Sequence, residues 1–150
     1  MTVVGTLPYT ERVIGKFAGI LAFLFLLIAA SEAFAEHEVH YRYTVLGYLK
    51  DARGKPRAGV PVELVREKTG FSYLGESDRA GLYVIVARLG DESVGERLAL
   101  RAGDQSASIT VRFDPQNRTQ ERGTRIDFVG SKTMERPTWF LATLKRFVSE

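Results

Sequence analysis

From residue 41 onward the apolar and polar positions alternate with a period of two. Tyr41, Tyr43, Val45, Gly47 and Leu49 share one parity, and Arg42, Thr44, Leu46 and Tyr48 the other, which is the pattern of a half-buried strand. "DARGKP" (51–56) is a turn by composition, because Asp bonds its own backbone, Gly54 tolerates positive φ and Pro56 interrupts a ladder. Val60, Val62 and Leu64 then resume the alternation, with Pro61 marking an edge or irregular strand start. Further strands are predicted over 69–77, 82–89, 97–103, 106–113 and 124–129, separated by "DRAG", "GDESVGE" and "DPQNRTQERG". About seven short strands, with turns every 8–15 residues and no helical period between them, predict an all-β, antiparallel Ig-like sandwich. The expected inward set is Val45, Leu49, Val60, Val62, Leu64, Tyr83, Ile85, Leu98, Leu100, Ile109, Val111, Phe113 and Phe128.

The two ends break this pattern. Arg12 and Lys16 lead into 15 uncharged residues, Phe17–Ser31, followed by Ala33-Phe34-Ala35. This is the layout of a signal peptide over 1–35, with cleavage after Ala35 and a mature chain starting at Glu36. The run is short for a spanning helix, which needs about 20 apolar residues; an uncleaved anchor is the alternative. At the carboxyl end, Phe140, Leu141, Leu144, Phe147 and Val148 fall on one face of a helix. Pro137 suits its start, and Lys145 and Arg146 suit its end. With Trp139, this short amphipathic helix either docks on the sandwich or offers Trp139, Phe140, Leu144 and Phe147 to a partner or a membrane surface through 137–149. The expected organisation is a signal peptide (1–35), a sandwich (36–130) and a helical tail (131–150).

Val45, Gly47, Leu49, Asp51, Gly54, Pro56, Gly59, Val60 and Val62, followed by Ser77, Asp78, Gly81 and Tyr83, resemble the recurrent pattern of the carboxypeptidase regulatory-like (transthyretin-related) modules. The similarity spans about residues 41–113. It implies a prealbumin-like sandwich with a structural, adhesive or ligand-holding role and no catalysis. The segment the family usually carries after the fourth strand is replaced here by "RLGDESVGE". The hydrolase branch of that fold ends in Tyr-Arg-Gly-Ser, whereas this chain ends "KRFVSE". A non-enzymatic chain is therefore expected.

Charge and composition narrow the function classes modestly. The chain has 150 residues, a net charge of +3 and no cysteine, so disulfides and thiolate metal sites are excluded. Basic residues are scattered among acids, which argues against a nucleic-acid partner. The only histidines, His37 and His40, follow the expected cleavage point. A free amine at Glu36 with His37 and His40 is a candidate Ni²⁺ or Cu²⁺ site, since imidazole suits both ions; the alternative is two polar residues entering the first strand. Asp51, Asp78, Asp91, Glu92 and Asp104 fall in turns without the ligand spacing of a calcium loop. Tyr48, Phe71 and Tyr73 are candidates for stacking on carbohydrate or for cross-strand pairing. Asn117-Arg118-Thr119 is a glycosylation sequon, relevant only in a eukaryotic secretory host. The combined expectation is an exported module, periplasmic or envelope-associated if bacterial, acting as an accessory or protein-interaction domain with an envelope protein partner. Metal handling and carbohydrate binding are the alternatives.

Overall fold

The computed structural model describes residues 41–149. The expected signal peptide, its cleavage point, Glu36, His37 and His40 lie outside the described residues. Eight strands form two four-stranded sheets packed face to face. They are β1 (Arg42–Lys50), β2 (Pro61–Arg66), β3 (Phe71–Glu76), β4 (Leu82–Arg88), β5 (Arg97–Ala102), β6 (Gln105–Thr110), β7 (Arg122–Val129) and β8 (Lys132–Glu135). One sheet runs β4-β1-β7-β8 and the other β3-β2-β5-β6. A ten-residue helix, α1 (Phe140–Ser149), follows a 3₁₀ turn at Pro137–Trp139.

All thirteen residues expected to point inward lie in the central core or pack against it. Val60 and Phe113 are the half-buried ones. Two features depart from the sequence expectation. An eighth strand, "KTME", pairs antiparallel with β7 and so joins the sandwich from the segment expected to be tail. And β1 pairs with β7 in parallel, Tyr43 opposite Arg122 and Leu49 opposite Phe128, so the sandwich is mostly rather than wholly antiparallel.

Several turn residues carry identifiable loads. Asp51 Oδ1 accepts from the amides of Arg53 and Lys55 at 2.8 and 2.9 Å. Asp78 Oδ1 repeats the arrangement with Ala80 and Leu82, both at 2.8 Å. These carboxylates hold turns, as Asp side chains do where the chain reverses. Gly81 (φ +78°) closes the second turn under Leu49, whose carbonyl a β-carbon there would meet. The hydroxyl of buried Ser77 accepts from the Val60 amide at 3.0 Å and donates to the Arg57 carbonyl at 2.7 Å.

The ladder between β1 and β7 skips Gly47 and Tyr48. Two side chains fill the gap. Tyr83 Oη donates to the Ile126 carbonyl at 2.6 Å, and Asp127 Oδ1 accepts from the Tyr48 amide at 3.0 Å. Gly47 faces Tyr83 across the β1–β4 ladder, and any β-carbon there would overlap the Ile126 carbonyl oxygen. The glycine thus makes room for the tyrosine hydroxyl to reach a carbonyl that the neighbouring strand leaves unpaired.

Candidate interaction surface

The outer face of the first sheet is built from the second parity of β1, β4 and β7. Cross-strand register sets its rows: Arg88 beside Arg42, Val86 beside Thr44, Val84 beside Leu46 and Leu82 beside Tyr48. Arg125 and Asp127 continue this face on β7. Thr44 and Leu46 are fully covered although they face away from the central core, because α1 lies over β1 and β7.

The helix is held by apolar and polar contacts together. Phe140 is buried against Gly123, where a β-carbon would stand 2.5 Å from its ring. Arg125 Nη1 donates to Thr143 Oγ1 at 2.9 Å, and that hydroxyl in turn donates to the Trp139 carbonyl at 2.7 Å. Arg125 also grips Asp127 in bidentate fashion, with bonds of 2.9 and 2.8 Å, and Arg136 approaches the same carboxylate at 3.3 Å. Asp127 is only 4% exposed, so its charge depends on these cations and on the Tyr48 amide. The Arg125 guanidinium also sits over the Tyr48 ring, 4.9 Å from its centroid.

Coverage of the outer face stops short of β4. A groove of about 300 Å³ runs between helix and strand, lined by Arg42, Thr44, Val84, Val86, Glu121, Leu144, Phe147 and Val148. Its apolar rim is unusually open: Val86 is 51% exposed, Phe147 44% and Val148 74%. Arg42 pairs with Glu121 across one end at 3.0 Å.

The residues predicted from sequence separate into distinct places. Leu144 and Phe147 line the groove. Trp139 is exposed in the turn before α1, whereas Phe140 is buried and anchors the helix to β7. Tyr48 lies on the other flank of α1, in a crevice with Asp78, Thr143 and Arg146. Phe71 and Tyr73 stand on the second sheet, edge to face with centroids 5.0 Å apart. Tyr73 Oη accepts from the Arg88 amide at 3.2 Å, while Phe71 remains exposed. The structure therefore does not bring Tyr48 together with Phe71 and Tyr73.

Val84, Val86, Arg42 and Glu121 were not singled out by sequence reasoning. The signal for the valines was present, because "LYVIVARL" is apolar on both parities and so asks for cover on both faces. No group of three or more metal-ligating His, Cys, Asp or Glu side chains occurs among the described residues. No helix among them is long and apolar enough to cross a membrane.

A second cavity, of about 200 Å³, lies between the 114–121 loop and the start of α1. Its buried Arg122 is paired with Asp91 at 2.9 Å and stacked 4.1 Å from the Phe113 centroid. Asn117 spends its amide oxygen on Thr119 and Gln120 within the loop. This cavity reads as a bracing network for the loop.

Comparison with known proteins gives no family. No family model matches the chain, and no curated protein matches it. Among solved structures, it is similar to the dioxygenase domain of a dioxygenase carbohydrate-binding protein fusion from the cellulolytic bacterium Streptomyces sp. SirexAA-E. The identity is 12%, the TM-score 0.42, and the match covers 67% of this chain and 79% of that one.

Proposed function

We propose that this chain is an exported, non-catalytic β-sandwich module acting as an envelope accessory or protein-interaction domain through the α1–β4 surface. The observation that carries the reading is the open rim of Val86, Phe147 and Val148. Apolar side chains gathered along one groove mark an interaction surface better than scattered ones do. A carboxypeptidase regulatory-like, prealbumin-like assignment is supported by the residues that carry the resemblance. Asp51, Ser77, Asp78, Gly81 and Tyr83 each hold a turn or brace a strand.

The test is capture from an envelope extract by full chain and by a Phe147→Asp/Val148→Asp variant. Capture of a defined protein by the parent and its loss in the variant is expected. Equal capture by both sinks the assignment of this face.

Carbohydrate binding is the second reading, supported by exposed Phe71 on β3. A glycan-array signal that disappears in Phe71→Ala would move it to first place. Ni²⁺ or Cu²⁺ handling through Glu36, His37 and His40 is tested by calorimetry on processed protein with and without both histidines.

A further inference from the structure

We propose that the outer face of the second sheet, β3-β2-β5-β6, joins two copies of this chain, packed back to back about a two-fold axis that runs along β2 and β5. The inference goes beyond the reading of the α1–β4 surface and uses the other sheet. It starts from strand parity. Val62, Leu64, Leu98, Leu100 and Ile109 belong to the core, so the alternate positions of these strands look outward. Register arranges them in rows across the sheet. One row is Leu74, Glu63, Arg101, Ser106, and the next is Ser72, Val65, Ala99, Ser108. A third follows where the Glu67 amide donates to the Arg97 carbonyl at 3.2 Å, with Thr110 opposite Arg97 on β6. Both acids thus stand on the β2 side and both bases on β5, with uncharged Val65 and Ala99 between the two charged rows.

A two-fold axis midway between β2 and β5 exchanges these strands. It sets Glu63 of each copy over Arg101 of the other and Glu67 over Arg97, so every contact in both charged rows joins opposite signs. The side chains are open to such a neighbour. Arg101 meets Glu63 at 3.1 Å with 59% and 33% of the side chains exposed, and Arg97 meets Glu67 at 3.6 Å with 65% and 44% exposed. Arg101 spends Nη1 on Glu63 and Arg97 spends Nη2 on Ser108, which leaves donors on each guanidinium fork for a second carboxylate. Exposed pairs of this kind are worth little singly. Stacked head to tail, they keep their own partner and gain another.

Shape follows the same symmetry. The axis lays Leu74, 78% exposed, over Ser106, and Val65 over Ala99, so larger side chains meet smaller ones. Sheets packed face to face sit about 10 Å apart and about 30° from aligned, a splay that Glu and Arg side chains are long enough to span. A closed two-fold permits no slide along its axis, so the rows stay matched. A different protein would have to reproduce this order of charges, whereas a second copy carries it already. Strands of six residues, about 4.8 Å apart, offer a patch of about 400 Å². That is roughly half the 800 Å² per partner of a standard interface, which points to a dissociation constant on the order of 100 μM.

Sedimentation equilibrium of the full chain, from about 10 μM to about 1 mM, should show a reversible monomer–dimer equilibrium that weakens with salt. Glu63→Arg and Arg101→Glu each place like charges at both symmetric contacts and should each weaken the dimer at least about tenfold. An equimolar mixture of these two variants should restore association, because each new charge then meets its opposite. Rescue on mixing cannot come from a folding defect in either variant. A mixture of Glu67→Arg with Arg101→Glu carries the same net charges but leaves like charges facing in both rows, and it should not be restored. A chain that stays monomeric to about 1 mM, an association indifferent to Glu63→Arg, or equal rescue by both mixtures would overturn the proposal.

Discussion

Gly47→Ala tests the account of how β1, β4 and β7 are fastened together. The new methyl would overlap the Ile126 carbonyl oxygen, which is backbone, and would lie 3.0 Å from Tyr83 Oη. Neither neighbour is a flexible chain end, so β1 and β7 must separate locally. Overpacking of this kind costs about 1–3 kcal/mol. Displacing the 2.6 Å bond from Tyr83 Oη to Ile126 adds about 1 kcal/mol. The sum, about 2–4 kcal/mol, is a large share of the roughly 5–15 kcal/mol that a domain usually possesses. Tyr83→Phe alone removes the bond and leaves the carbonyl without it, for about 1–2 kcal/mol. In the double variant the missing hydroxyl leaves the methyl more space, so the two costs should sum to less than their separate values by about 1 kcal/mol. Urea unfolding of the four proteins, with slopes compared to confirm a common denatured state, supplies the cycle. A cost below about 0.5 kcal/mol for Gly47→Ala, or strict additivity, would refute the claim that this glycine exists to admit the tyrosine.

Asp127→Ala should cost about 3–5 kcal/mol, because it strands Arg125, Arg136 and the Tyr48 amide. Amide exchange should also accelerate across 140–149 as Arg125 lets go of Thr143; unchanged protection there would contradict the role given to the network. Arg66 bonds Glu96 twice at 2.7 Å and also reaches Ser93, so Arg66→Ala should cost about 2 kcal/mol in urea unfolding. Arg66 holds the Glu96 carboxyl below its ordinary 4.5. Stability from this pair is therefore present above pH 4.5 and lost as pH falls below it, and the Arg66→Ala variant should show a shallower acid limb. Burial lifts the Tyr43 hydroxyl to about 12 and that of Tyr83 well above 10. Their contribution is complete below pH 10 and fades as pH rises through the raised values, so thermal unfolding should fall in that range and Tyr43→Phe should flatten the fall.

The strands were legible because alternation survives wherever one side of a strand is covered and the other is wet. β8 was not, since "KTME" is four residues long and owes its place to pairing with β7 rather than to any apolar parity. Leu46 illustrates a different limit. Its parity puts it opposite Val45 and Leu49, yet it is as fully buried as they are, because a helix almost a hundred residues later covers that face. The helix itself followed from its 3.6 period, but the sharing of its apolar residues did not. Phe140 is spent on the sandwich, while Phe147 and Val148 stay open, a division that depends on where the sheet ends. The Arg125–Asp127 pair was likewise invisible, since two charges in a strand carry no sign of whether they will meet water or a helix.

The parallel pairing of β1 with β7 also has a consequence for the order in which this molecule can assemble. β2, β3, β5 and β6 lie within residues 61–110 and pair only with one another. That sheet can close as soon as this stretch of chain is available. β1 must instead wait for a strand 79 positions away, the separation spanned by the Tyr48–Asp127 bond. Closing so long a loop taxes the folding rate more than the final stability. A chain delivered from its amino end therefore holds β1 out with one neighbour only, β4, until β7 arrives. The stretch that emerges after β6 completes the sheet of β1 and carries the helix that covers it.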